Sequence, residues 1–276
     1  MSGTEAYILN AVQTPTVLRT VYDSIDRGHT TKTELKTDTA LSDDSLGQGL
    51  TGLQLVGFIG RREPDYYTVD LPWRSGRPHL DFRMGILHNL ATEATPGDWG
   101  KQSVVLLNYQ YLLDENVQVF DNDDKVIYDA MDELAERRGY RPYSQQGLIT
   151  MNDVKFVNWS RLAEFLGLVY KAKGRTHTTY PDEELIYRSI ELAANERGRT
   201  RIGLQEYVDW LNENLLLVSL TSNRNVPAPL SRVLFNLVRE GHIRVVESGD
   251  ASAVGLNRVP TRKGIDTNAN SIEVVT

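Results

Sequence analysis

The segment from Pro227 to Val259, PAPLSRVLFNLVREGHIRVVESGDASAVGLNRV, restricts the fold more than any other stretch of the chain. Leu230, Val233, Leu234, Leu237 and Val238 recur at steps of three and four, which places them on one face of a helix. Gly241 follows Arg239 and Glu240, where a helix stops if the chain must pass through positive φ. His242 to Val246 reads as a strand, Glu247 to Ser252 as a polar turn and Val254 to Val259 as a returning strand. An amphipathic helix, a glycine stop and a hairpin are thereby implied in that order.

The same phrase recurs. Leu50-Thr-Gly-Leu-Gln-Leu-Val-Gly57 runs into Arg61-Arg-Glu-Pro-Asp-Tyr-Tyr-Thr-Val69, and Leu162-Ala-Glu-Phe-Leu-Gly167 runs into Lys171-Ala-Lys-Gly-Arg175 and Thr178-Thr-Tyr180. No fixed period links the three, so the recurrence is one of pattern.

Earlier helices are expected from Thr14-Pro15 to Gly28, from Thr30 to Thr37, and onward from the Ser42-Asp43-Asp44 cap. Phe82 to Ala91 fits a short helix, Gly100 to Leu113 a buried one and Val117 to Phe120 a short strand. Asp123 to Arg138 has acids first, arginines last and Gly139 as its stop. Asn158-Trp159 is expected to open the helix that leads to Gly167. Helices are also expected from Pro181 to Gly198 and from Gly203 to Asn214. Leu215 to Leu220 is either the end of that helix or a buried strand, and Thr261 to Thr276 reads as a frayed tail.

With 276 residues the chain has room for two or three small domains. A net charge of −7 argues against coating nucleic acid by bulk charge, although local basic patches remain compatible with it. The absence of cysteine excludes disulfides, thiolate zinc sites and cysteine nucleophiles. The N-terminus lacks a basic region followed by an apolar run, and no window approaches the ~18 apolar residues of a span, so a soluble cytoplasmic protein is expected. Arg outnumbers Lys and acids crowd the turns, a bias of salt-adapted archaeal chains that a GC-rich genome also produces.

Gly47-Gln-Gly49-Leu-Thr-Gly52 matches the glycine spacing of a dinucleotide-binding turn. That turn requires a strand before it, and Ala40-Leu-Ser-Asp-Asp-Ser is a helix cap; close helix packing is the favoured reading. Asp121-Asn-Asp-Asp124 lacks the later glycine and glutamate of a calcium loop, Val126 and Asp132 standing there, and reads as capping. His29, His79, His88, His177 and His242 have no paired ligand spacing. No catalytic residue, metal ligand, cofactor or small-molecule substrate is expected, and the chain is read as no enzyme.

The cations carry more information. Arg161, Lys171, Lys173 and Arg175, with His177, form one group along a helix and its hairpin. Ser231, Arg232, Asn236 and Arg239 lie opposite the leucines of the last helix, with Arg244, Arg258, Arg262 and Lys263 following. Helix donors that reach base edges, and wing cations that meet phosphate, are what duplex recognition requires. The alternative is a solvated face. The first of the recurring units differs, because Asp43-Asp44 would repel phosphate there, while Tyr66, Tyr67 and Trp73 suit a protein surface.

The stretches LTGLQLVGFIGRREPDYYTV and VPAPLSRVLFNLVREGHIRVV resemble winged helix-turn-helix domains of prokaryotic regulators and replication-associated proteins. TPTVLRTVYDSI and NWSRLAEFLGLVYKAKGR are similar to accessory proteins encoded beside DNA-modification and phage-defence systems, such as DpdG-like proteins. The resemblance implies a mainly α fold with small β-hairpins (α+β) and tandem winged helices. These are expected at 8–72, 98–180 (a helical region ending in such a unit) and 181–262, with a linker at 73–97 and a flexible tail at 263–276. Function is then expected to be one of two things. The first is contact with double-stranded DNA, as a regulator or as a subunit of a defence or modification complex. The second is an acidic adaptor that binds partner protein subunits. Homodimer formation is compatible with either, and no membrane contact is expected.

Overall fold

The structure is a computed structural model that describes residues 6–247, 254–257 and 270–275. Its contacts divide the chain into two units, Met1–Val105 with Asn122–Leu166 and Leu106–Asp121 with Gly167–Thr276. About 51% of residues are helical and each sheet has two or three strands, so the α+β class holds.

The first unit begins with α1 (Ile8–Ala11), α2 (Thr16–Asp26), α3 (Lys32–Thr39) and α4 (Asp43–Leu55). Local chemistry sets these boundaries. Thr31 and Glu34 form a reciprocal capping box at α3, and the Ser42 side chain accepts from Ser45 N at α4. Gly57, at φ 69°, turns the chain into the antiparallel hairpin β1 (Ile59–Arg62) and β2 (Asp65–Thr68). On the other side of β2, Tyr66 N donates to Thr30 O at 2.8 Å, so the α2–α3 link stands where another strand would.

α4 lies close against the chain before it because Gly49 and Gly52 carry no side chain. A Cβ on Gly52 would sit 2.5 Å from Leu18 Cδ2 and 2.6 Å from Val12 Cγ2; one on Gly49 would sit 2.6 Å from Val21 Cγ2. All three glycines of the apparent dinucleotide motif are thus inside a helix, and Gly49 and Gly52 serve its packing. α5 (Pro78–Thr92) extends past the expected Phe82–Ala91, starting at the proline. Its Phe82 meets Phe58 edge-on, with ring centroids 5.3 Å apart, and Asn89 Nδ2 caps Val56 O at 2.7 Å. The hairpin β3 (Ala94–Thr95) and β4 (Asp98–Trp99) follows.

The middle elements are α6 (Val104–Asp114), β5 (Val119–Asp121), α7 (Lys125–Arg137), the hairpin β6 (Tyr143–Ser144) and β7 (Gly147–Leu148), α8 (Asp153–Leu166), β8 (Tyr170–Lys173) and β9 (Thr176–Thr178). Asp124 caps α7 through Val126 N and Ile127 N, and Gly139 ends it at φ 82°. α8 starts at Asp153, not at Asn158-Trp159. Those two residues are buried mid-helix, where Asn158 Nδ2 donates to Leu9 O at 2.9 Å and Trp159 Nε1 to Val105 O at 3.1 Å. Polar atoms that read as a helix start are instead satisfied by distant carbonyls.

The second unit continues with α9 (Glu183–Asn195), β10 (Arg201–Gly203), α10 (Leu204–Asn214), β11 (Asn225–Val226), α11 (Ala228–Arg239), β12 (Ile243–Val246), β13 (Gly255–Leu256) and β14 (Ser271–Val274). Leu215 to Val218 are buried without being helix or strand, and Asn212 holds the segment from both sides of Val218. Two expectations are corrected here. Of the strand expected at 254–259, the described part does not return along β12: β13 pairs parallel with β11, and β12 pairs antiparallel with β14. The end of the expected tail is that partner strand, with Ile272 wholly buried. Apolar Ile272 and Val274, set within a polar stretch, account for this.

One order of elements recurs. With the two-residue strands β6, β7, β11 and β13 set aside, α6, β5, α7, α8, β8, β9 and α9, β10, α10, α11, β12, β14 each run helix, strand, helix, helix, strand, strand. Their sheets are ordered β5-β9-β8 and β10-β14-β12, with the last strand in the centre both times. The first set has the same order with Thr30 in place of a strand, then β2, then β1. In the middle set α7 and α8 belong to the first unit and the strands to the second.

Candidate nucleic-acid interface

The β8–β9 hairpin presents the densest group of predicted cations. Tyr170, Lys171, Ala172 and Lys173 are all exposed, Gly174 turns the chain at φ 59°, and Arg175 is exposed beyond it. An irregularity between Lys171 and Lys173 shifts the register. Tyr170 therefore stands opposite Thr178, and Lys173 opposite Thr176, on one face of the sheet. Val119, 57% exposed, extends the same row on the far side of Thr178 from Tyr170, which is 66% exposed. On the opposite face, His177 is buried and stacks on Phe120 at 5.5 Å, which anchors the central strand. Asp121, next in register to Lys173 across Thr176, accepts from Thr176 Oγ1 at 2.6 Å. Among the described residues neither Lys171 nor Lys173 enters an ion pair.

The helices meant to read bases are placed differently. On α11 no residue before Arg239 is exposed. Ser231, expected on the polar side, is fully buried; its Oγ donates to Val226 O and accepts from Asn257 N. Asn236 donates to Glu183 Oε1 at 2.8 Å, and the Tyr180 hydroxyl bonds both. Arg232 is half-buried, and Arg239 is exposed with Glu240 Oε1 3.6 Å away. The apolar stripe was legible, but the covering of the other face was not, because it comes from α9 and from residues 226 and 257. Arg161 is exposed on α8, where Nη1 reaches Gln13 O at 3.4 Å; it lies in the first unit, and Lys171, Lys173 and Arg175 lie in the second.

Arg244 is exposed on β12, directly opposite Glu273 of β14, which in turn stands opposite Arg201 of β10. With exposed Arg197 and Arg199 just before it, Arg201 adds a second basic surface that sequence reasoning missed. Three arginines between residues 197 and 201 were the available signal. Arg258, Arg262 and Lys263 lie outside the described residues.

Of the aromatic group in the first unit, Tyr66 is buried, with Arg61 over its ring at 5.3 Å, so it offers no free face. β2 alternates, and Tyr66 is on its inward side. Tyr67 is 43% exposed and lies across Gly60, with Arg62 5.2 Å from its ring centroid. Trp73 is half-buried, edge-on to His88 at 4.9 Å. The acids of α4 are exposed as expected, and Lys36 Nζ bonds Asp43 at 2.9 Å, holding its carboxyl below the usual range.

A cleft of about 430 Å³ in the first unit is lined mainly by Tyr7, Asn10, Gln145, Gln146, Thr150 and Lys155. Burial raises the Tyr7 hydroxyl well above its ordinary pKa. The lining offers hydrogen bonds but no carboxylate or imidazole to move a proton. Among the described residues no helix is long and apolar enough to cross a membrane. No protein-family model, curated protein or solved structure matches the chain.

Proposed function

We propose that this chain is a non-catalytic protein of tandem winged-helix modules that contacts duplex DNA through the β8–β9 hairpin. It serves as a regulator or as the DNA-engaging subunit of a modification or defence complex. The observation that carries this reading is the exposed pair Lys171 and Lys173, in no ion pair among the described residues, beside Arg175 on a turn that projects from a three-stranded sheet. The module assignment draws on the repeated helix–strand–helix–helix–strand–strand order with the last strand central, the plan of a winged helix. In that plan β8 and β9 are the wing, which meets the phosphate backbone. With a net charge of −7, attraction is local to the hairpin, and salt weakens it.

The test is a fluorescence-anisotropy titration with mixed-sequence duplex at low and high salt. Three phosphate contacts give a slope of log K against log salt of roughly −3, at about −0.9 per phosphate. Lys171→Glu/Lys173→Glu/Arg175→Glu abolishes binding with an unchanged circular dichroism spectrum. No binding at low salt overturns the reading.

A second reading, an adaptor that binds partner subunits, is favoured by two separate features, the acid-fronted α4 and the exposed Tyr67. It expects the hairpin reversal to leave complementation of a deletion strain intact, and Tyr67→Ala to abolish it.

A further inference from the structure

We infer that the contact is made with the duplex backbone alone and that this chain reads no bases. The inference rests on the DNA reading above and adds what kind of site is recognised.

Sequence is read in the major groove by several side chains that project from one helix or ribbon to base edges. Three helices occupy the position of a reading helix in the recurring element order, and none projects such a set. On α4 the exposed residues are Asp43, Asp44 and Gln54, two of them acids that repel phosphate. Its central amide, Gln48, already accepts from Gln13 N at 3.0 Å and from Thr14 N at 3.3 Å. On α8 the exposed residues are Asp153, Val154, Arg161 and Glu164, a single cation among two acids and a valine. On α11 no residue before Arg239 is exposed, Arg232 being half-buried, and the one amide able to pair with adenine, Asn236, is bonded to Glu183.

What remains is carried by strands. Lys171 and Lys173 are flexible point charges suited to phosphate, and Arg175 is a single guanidinium beside them, too little to read a run of base pairs. The second basic surface, Arg197, Arg199, Arg201 and Arg244, likewise lies on strands and their approach, with Glu273 between the last two. Cations on strand surfaces, without a set of base-edge donors on one helix or ribbon, neutralise phosphate whatever the sequence.

The experiment uses the full chain and one labelled mixed-sequence duplex, competed by unlabelled AT-rich, GC-rich and scrambled duplexes of equal length. A selection from a randomised duplex pool accompanies it. The expected result is competition by every duplex within about tenfold and no motif emerging from the pool, whereas sequence readers separate specific from non-specific sites by ~10³-fold or more. A motif enriched more than about tenfold overturns this inference and leaves the DNA reading standing. Failure to bind any duplex at low salt overturns the DNA reading itself, and the inference with it.

Discussion

Asn236 on α11 donates from Nδ2 to Oε1 of Glu183 on α9 across 2.8 Å, and the Tyr180 hydroxyl is bonded to both groups. This junction ties the last helix to the first helix of its own module. Under the proposed DNA reading, it also sets a carboxylate where a phosphate or base edge would have to approach. Asn236→Ala removes a hydrogen bond to a charged group in a half-buried site, a loss of about 1.5–3 kcal/mol. Urea denaturation is expected to show that loss, while duplex affinity, measured by anisotropy on the folded variant, stays within about twofold. Lost binding at unchanged stability would instead make Asn236 a DNA contact.

The same residue shows where a sequence stops being readable. Periodicity identified Leu230, Val233, Leu234 and Leu237 as buried, and they are. It could not report that the opposite face is also covered, because the covering groups come from residues 180, 183, 226 and 257. The caps at Ser42 and Asp124 were legible, since each acts on neighbours within three residues. Strand pairing was legible where a tight turn enforced it, as at Arg62 and Asp65, and illegible where β12 had to find β14 far along the chain. Of the candidate site, the hairpin cations were found because charge on a turn is a local signal. Arg201 was missed because its relation to Arg244 exists only through β14.

Gly52 and Gly47 separate packing from propensity within one helix. In an open helical site Gly→Ala gains about 1 kcal/mol, and a methyl group on Gly47 would meet nothing within 4 Å. At Gly52 the same methyl group would lie 2.5 Å from Leu18 Cδ2 and 2.6 Å from Val12 Cγ2, both on fully buried residues. Overpacking of this kind costs typically about 1–3 kcal/mol and outweighs the propensity gain. Thermal melts are therefore expected to rise for Gly47→Ala and fall for Gly52→Ala. A rise for both would mean that α4 can move away from its neighbours at little cost.

Asp132 gives the first unit a pH dependence of determinable sign. Burial holds its carboxyl above the usual value of 3.8, opposed by the hydrogen bond it accepts from Met151 N at 2.6 Å and by nearby Lys155. Because the folded state binds this proton more tightly than the unfolded chain, the group's contribution is most favourable below 3.8 and declines as pH rises through the raised value. Asp132→Asn keeps an acceptor for Met151 N and removes the buried charge. The variant is expected to melt higher than the parent at pH 7, with the difference shrinking toward pH 4. An equal difference at both pH values would remove Asp132 titration as its source.

Glu273 stands between Arg201 and Arg244, one residue from each across the sheet. Opposite charges in facing positions contribute roughly 0.2–1 kcal/mol per pair, so the carboxylate supports the sheet. The same carboxylate offsets the two arginines as a phosphate-binding surface. Glu273→Gln sets these roles against each other. Stability is expected to drop by about 1 kcal/mol in urea, while affinity for mixed-sequence duplex rises several-fold at low salt. The salt slope is expected to steepen by about one as an arginine becomes free to replace a counterion. If stability falls and affinity does not change, Arg201 and Arg244 serve the sheet alone, and the proposed DNA contact rests on Lys171, Lys173 and Arg175.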